Sequence, residues 1–137
     1  MTRIKYDINL MKFISLFETL TKAKVKDCIS NGHLIFVVNP GEIAKAIGKK
    51  GSNIRRIGNI LKKKIKIVEF NDDIAIFIKN LIAPIKVENI TEEGGIITIT
   101  DHDTKTKGMI IGRDSTNLNK YKEIVSRYFN VEDIVVK

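Results

Sequence analysis

From Leu10 to Val136 the spacing of apolar residues changes in one order and then runs through that order again: helical, alternating, alternating, helical, helical, alternating. In the first pass, Asp7 can cap a helix whose apolar positions are Leu10, Phe13, Ile14 and Phe17. Lys24 to Ser30 alternates around Val25, Cys28 and Ile29. Asn31-Gly32 signals a tight turn, and His33 to Val38 completes a hairpin. Asn39-Pro40-Gly41-Glu42 opens the next helix, with Asn39 as cap, Pro40 at the first helical position and Glu42 as capping-box acid. Ile43 and Ile47 are four apart and can face a core. Ile54, Ile57 and Leu61 form the stripe of a further helix, and Lys64 to Phe70 reads as a closing strand.

The second pass begins at Asp72 or Asp73, either of which can cap a helix carrying Ile74, Phe77, Ile78 and Leu81, ended by Pro84. Lys86 to Ile90 is a strand candidate, Glu93-Gly94-Gly95 a turn, and Ile96 to Thr100 a β-branched strand. Thr106 to Ile111 is a short helix. Thr116 to Phe129 is the longest one, with Leu118, Tyr121, Val125 and Tyr128 on one face, and Val131 to Val136 closes the chain. Gly48 and Gly112 occupy the same place in the two passes, 64 residues apart by their numbers. Sequence identity between the passes is weak, so element order carries the repeat. The fold class is α+β. A chain of 137 residues supports one ordinary domain or two small ones. Agreement of six elements favours two modules, expected to pack together rigidly because Asn71-Asp72-Asp73 leaves almost no linker.

Charge separates the passes further. Residues 1–70 hold 15 Lys/Arg against 5 Asp/Glu, whereas residues 71–137 hold 9 against 11. A basic half beside a slightly acidic one implies a single electropositive face. The basic residues concentrate between Lys45 and Lys66, which contains nine Lys/Arg and no acid. Cys28 is the only cysteine, so no intrachain disulfide forms, and one cysteine with scattered His33 and His102 makes no zinc site. Met1 to Leu10 mixes charged and apolar residues without a continuous apolar run, and no segment approaches membrane-spanning length. The resulting expectation is a cytoplasmic protein with no membrane association, no metal and no cofactor.

Gly48-Lys49-Lys50-Gly51 lies inside the basic window, between two helical segments. Glycines there permit a tight reversal and let a ligand approach the backbone. The helix beginning near Ser52 or Asn53 adds unpaired amides and the positive end of its dipole. Lys45, Lys49 and Lys50 bring charge to the loop, Arg55 and Arg56 extend it along the helix, and Lys62, Lys63 and Lys64 continue it at the far end. Such groups position a phosphate chain rather than read bases. Ile47 and Ile54 are candidates for the rim of an adjacent groove, and equally for plain core. An enzyme is poorly supported. Gly41 is too far from Gly48-Lys49 for a nucleotide-phosphate loop, Lys50 stands where Ser/Thr is required, and Asp72-Asp73 and Glu92-Glu93 lack metal-ligand company.

The run from Ile43 to Ile54, with its helices and basic surround, resembles the K-homology (KH) domain in its helix-strand-strand-helix-helix-strand version. In that family the loop and flanking helices clamp about four single-stranded nucleotides. Ile4-Lys5-Tyr6, Val25-Lys26-Asp27-Cys28 and Ile35-Phe36-Val37-Val38 extend the resemblance to the archaeal NusA-like family over essentially the whole chain. The resemblance implies two tandem type II KH domains, residues 1–70 with an N-terminal extension and residues 71–137. It also implies single-stranded RNA binding in transcription termination or antitermination by a monomer, with RNA polymerase or other transcription proteins as further partners. Longer bacterial relatives carry a polymerase-binding domain and an OB-type domain, for which 137 residues leave no room.

The RNA-binding residues expected on this basis are Lys45, Ile47, Gly48, Lys49, Lys50, Gly51, Ser52, Asn53, Arg55 and Arg56, with Gly112, Arg113 and Asn117 from the second loop. That loop reads Gly112-Arg113-Asp114-Ser115. Ser115 replaces the last glycine, where it can cap the following helix, and Asp114 opposes a phosphate. A weak binding site and a purely structural loop are both open readings of it. The competing function is a protein-interaction scaffold in a ribonucleoprotein or transcription complex with weak RNA contact. Salt discriminates the two, because binding carried by the basic stretch weakens as salt rises.

Overall fold

Leu10, Phe13, Ile14, Phe17 and Leu20 recur at helical spacing and build α1, Ile8–Thr21, in the computed structural model, which describes residues 8–137. The proposed Asp7 cap and the Ile4-Lys5-Tyr6 segment lie outside the described residues. Strands β1, Val25–Asn31, and β2, His33–Val38, pair antiparallel around Gly32, whose φ is 75°. After α2, Ile43–Ile47, and α3, Ser52–Leu61, strand β3, Ile65–Glu69, returns parallel to β2. The sheet order is β1-β2-β3. Leu34, Phe36 and Val38 of β2 meet Phe17, Ala46 and Ile57 in one buried cluster, where the Phe17 and Phe36 rings stack at 4.2 Å. Cys28 is buried there as a small strand residue.

The chain divides into two compact units at the Asn71–Asp72 boundary. The second unit repeats the pattern. It comprises α4, Ile74–Ile82; β4, Asn89–Glu93; β5, Ile96–Thr100; α5, Thr104–Ile111; α6, Thr116–Ser126; and β6, Asp133–Val136. Its sheet runs β4-β5-β6, antiparallel and then parallel, as in the first unit. Asp73 caps α4 by accepting from the amides of Ala75 and Ile76. Phe77 is fully buried and packs edge-on against Tyr128 at 5.6 Å.

Three local expectations need correction. Asn39 does not cap α2. Its carbonyl accepts from the Glu42 amide across Pro40-Gly41, with Gly41 at φ 85°, the residue pattern of a type II turn. The fourth strand lies at Asn89–Glu93 rather than Lys86 to Ile90. The last helix ends at Ser126 rather than Phe129. No described helix is long and apolar enough to cross a membrane.

Candidate nucleic-acid interface

Helix α2 stops at Gly48 because that residue adopts φ 75°, ψ 173°, a region essentially reserved for glycine. The chain then reverses through Lys50 at φ 54°, ψ 32° and Gly51 at φ 75°, ψ 18° before α3 starts at Ser52. The second loop follows the same path: Gly112 at 74°, 173°, Asp114 at 55°, 34° and Ser115 at 61°, 21°. Two loops with different residues at three of four positions therefore share one backbone conformation. Ser115 holds a left-handed conformation that costs an L-residue about 1–2 kcal/mol. Its side chain makes no capping bond, which corrects the expectation that it caps α6. Instead the Thr116 hydroxyl donates to the Arg113 carbonyl.

An asparagine brackets each loop. Asn53 donates its amide to the Lys45 carbonyl at 2.8 Å, and Asn117 donates to the Met109 carbonyl at 3.0 Å. Each bond ties the last turn of one helix to the first turn of the next. The bracket also explains the first glycine. A Cβ on Gly48 would stand 2.8 Å from Asn53 Cγ, and one on Gly112 would stand 2.7 Å from Asn117 Cγ. Arg55 adds a third tie in the first unit, where its Nη1 donates to the Lys50 carbonyl at 2.6 Å.

Internal bonds decide which loop amides remain for a ligand. The Gly51 amide donates to the Gly48 carbonyl and the Ser52 amide to the Lys49 carbonyl. The Ser52 amide, expected to be unpaired at a helix start, is therefore occupied, as is that of Gly51. Among the described residues, no acceptor partners the amides of Lys49 and Lys50. Both side chains are exposed, as are Ser52, Arg55 and Arg56. Ile47, Gly48, Gly51, Asn53 and Ile54 are half-buried beside them. In the second unit Arg113 is exposed, while Gly112 and Asn117 are half-buried.

The nine cations of the basic window are not equivalent. Lys45 pairs with Glu42 at 3.4 Å, and that carboxylate also accepts from the Lys24 amide at 2.9 Å. The Lys24 amide bond, followed by Lys45, holds Glu42 below the usual carboxylate range. Lys66 lies half-buried on β3, where burial pushes its ammonium below the usual lysine range. Lys49, Lys50, Arg56, Lys62, Lys63 and Lys64 are exposed and form no ion pair among the described residues. Sequence reasoning misses the Glu42 tie, although the three-residue spacing from Lys45 is a signal for it. Among the described residues no group of three or more His, Cys, Asp or Glu could hold a metal ion.

The chain is similar to known proteins. A family model described as the KH domain matches residues 13–86, from α1 of the first unit through α4. The probable transcription termination protein NusA of Halococcus morrhuae is 30% identical over 135 residues, covering 96% of this chain and 97% of the relative. Its namesake in Methanococcus vannielii is 33% identical over 138 residues, covering 98% of this chain and 80% of the relative. A solved structure, the crystal structure of APE1850, superposes with a TM-score of 0.75 at 30% identity, covering 96% of this chain and all of that one.

Proposed function

Because the chain belongs to the KH-domain family and is homologous to the NusA proteins of archaea, we propose that it binds single-stranded RNA as a non-catalytic factor in transcription regulation. Its two units act as tandem type II KH domains, residues 1–70 and 71–137, and the process served is transcription termination or antitermination in the cytoplasm. The protein works as a monomer, with RNA polymerase or other transcription proteins as its macromolecular company. The observation that carries this reading is the Gly48–Gly51 reversal, held open by Asn53 and Arg55 at the head of a helix with no acid in it.

A phosphate approaching the loop meets the amides of Lys49 and Lys50 from the backbone and their ammonium groups from the side. Glycine at positions 48 and 51 keeps side-chain bulk away from that approach. Ser52, Asn53 and Arg56 continue the polar wall, Lys45 stands behind it, and Ile47 offers an apolar surface for a base. Arg55 acts by fixing the loop carbonyl. In the second loop Gly112, Arg113 and Asn117 present the same backbone, but Asp114 replaces a cation and repels phosphate. The first loop therefore supplies most of the affinity.

A salt-controlled titration with single-stranded RNA tests the reading. Lys49→Asp/Lys50→Asp abolishes most binding, while Arg113→Asp changes it little. Undiminished binding by both variants, or no binding by the folded wild type, overturns the loop-centred reading and favours the protein scaffold.

A further inference from the structure

Helix α3 carries cations well past the loop. Its inward side holds Ile57, fully buried, with Ile54 and Leu61 half-buried. Its outward side exposes Ser52, Arg56, Asn59 and Ile60, and beyond the helix end Lys62, Lys63 and Lys64 are exposed as well. Arg56, Asn59 and Ile60 fall at i, i+3 and i+4 within the helix, which places them along a single face. That face contains no acid, and Ile60, half exposed at 50%, is an apolar side chain among the cations. Ten residues at about 1.5 Å each separate the loop from the lysine turn by roughly 15 Å.

The lysine turn is built, not frayed. Lys62 takes the left-handed conformation at φ 53°, ψ 44°, a helix-ending position usually given to glycine. The Lys63 amide donates to the Gly58 carbonyl at 3.2 Å, and the Lys64 carbonyl accepts from the Leu34 amide of β2 at 2.9 Å. Three adjacent cations are thus displayed from a fixed backbone, and none finds a carboxylate among the described residues. The second unit keeps part of this charge and drops the rest. Lys120 and Arg127 stand at the positions of Arg56 and Lys63, whereas exposed Glu123 and Ser126 stand at those of Asn59 and Lys62, and α6 ends without the left-handed residue that Lys62 gives α3. Mutual repulsion among Lys62, Lys63 and Lys64 opposes folding.

We propose that the outward face of α3 and the Lys62–Lys64 turn form a second phosphate-binding track, which takes the RNA strand beyond the nucleotides held at the loop. The inference rests on the RNA-binding reading above and adds direction and length to it. Lys62, Lys63 and Lys64 neutralise successive phosphates, Asn59 offers a polar side chain midway, and Ile60 meets the face of an unstacked base. The occupant is a single strand longer than the roughly four nucleotides a KH loop holds.

Single-stranded RNAs of four and ten nucleotides, titrated at several salt concentrations, separate this proposal from its premise. The probe variant is Lys62→Gln/Lys63→Gln/Lys64→Gln, exposed replacements whose folding is checked by circular dichroism. It binds the four-nucleotide RNA as the wild type does. It loses roughly tenfold in affinity for the ten-nucleotide RNA, and its salt slope there shrinks by about 2, or three phosphates at about 0.7 each. Equal behaviour of variant and wild type on the longer RNA overturns the track. A matching loss on both lengths also overturns it, because the lysines then act as general charge. Failure of the wild type to bind the four-nucleotide RNA instead removes the premise, the loop as a binding site.

Discussion

Gly48 and Gly112 sit in a backbone region that other residues cannot share, and each faces the asparagine that closes its loop. Gly48→Ala therefore meets both a conformational cost and a clash. Unfolding by urea is expected to show a loss of about 1–3 kcal/mol, accompanied by weaker RNA binding. The reverse experiment is available at Ser115. Ser115→Gly relieves a left-handed serine and raises stability by about 1 kcal/mol, since no capping bond is lost. A destabilised Ser115→Gly protein would show that the serine side chain supports the loop. His102 provides a third residue-level test. Its Nδ1 lies 2.5 and 2.6 Å from the Glu88 carboxylate oxygens. That hydrogen bond raises the His102 pKa above the usual histidine value and lowers that of Glu88. The histidine contribution to stability is complete below the ordinary histidine pKa and disappears as pH rises through the raised one. The glutamate contribution is complete above the ordinary glutamate pKa and disappears as pH falls through the lowered one. The clasp is therefore strongest between those ordinary values. An NMR titration should place the His102 midpoint lower in Glu88→Gln, and an unmoved midpoint would contradict the assignment.

Elements with an unambiguous period are legible in the amino-acid sequence itself. Helix α4 is one, because Asp73 and the Ile74-Phe77-Ile78-Leu81 stripe agree, and Asp73→Ala should cost about 1 kcal/mol in thermal or chemical unfolding. Strand β5 is another, because Ile96 to Thr100 is β-branched throughout. Strand β4 is harder to place because Ile85-Lys86-Val87-Glu88 also alternates. Its actual limits follow from the Gly94-Gly95 turn, which sets Glu93 opposite Ile96 and carries the pairing back to Asn89 opposite Thr100. Helix α6 stops early because Tyr128 and Phe129 turn to pack on Phe77, a tertiary demand that helical spacing does not reveal. Of the candidate site, the glycines, the lysines and the following helix are visible as a pattern. The bracket by Asn53, the diversion of Lys45 to Glu42 and the internal use of the Gly51 and Ser52 amides are not, since each depends on where a side chain or carbonyl lands. Ile57, on the inward side of α3, is fully buried in the cluster with Phe17, Phe36 and Ala46. Ile57→Ala should lose about 2–5 kcal/mol and reduce RNA binding only as far as the helix loosens.

Across the whole molecule, one fold pattern appears twice with opposite charge. The first unit combines the loop with a cationic α3, and the second keeps the loop geometry while placing Asp114 where the first has Lys50 and Glu123 where it has Asn59. On the proposed function, duplicated geometry with unequal charge makes RNA affinity follow substitutions in the first unit and fall steeply with salt. Amide chemical-shift mapping tests this most directly: the isotope-labelled protein of 137 residues receives a four-nucleotide single-stranded RNA at fixed, moderate salt. The largest shifts are expected at Lys49, Lys50 and Arg56, with small changes at Arg113 and Asp114. Still signals from Gly48 to Arg56, with shifts concentrated in the second unit or absent altogether, would contradict the central claim.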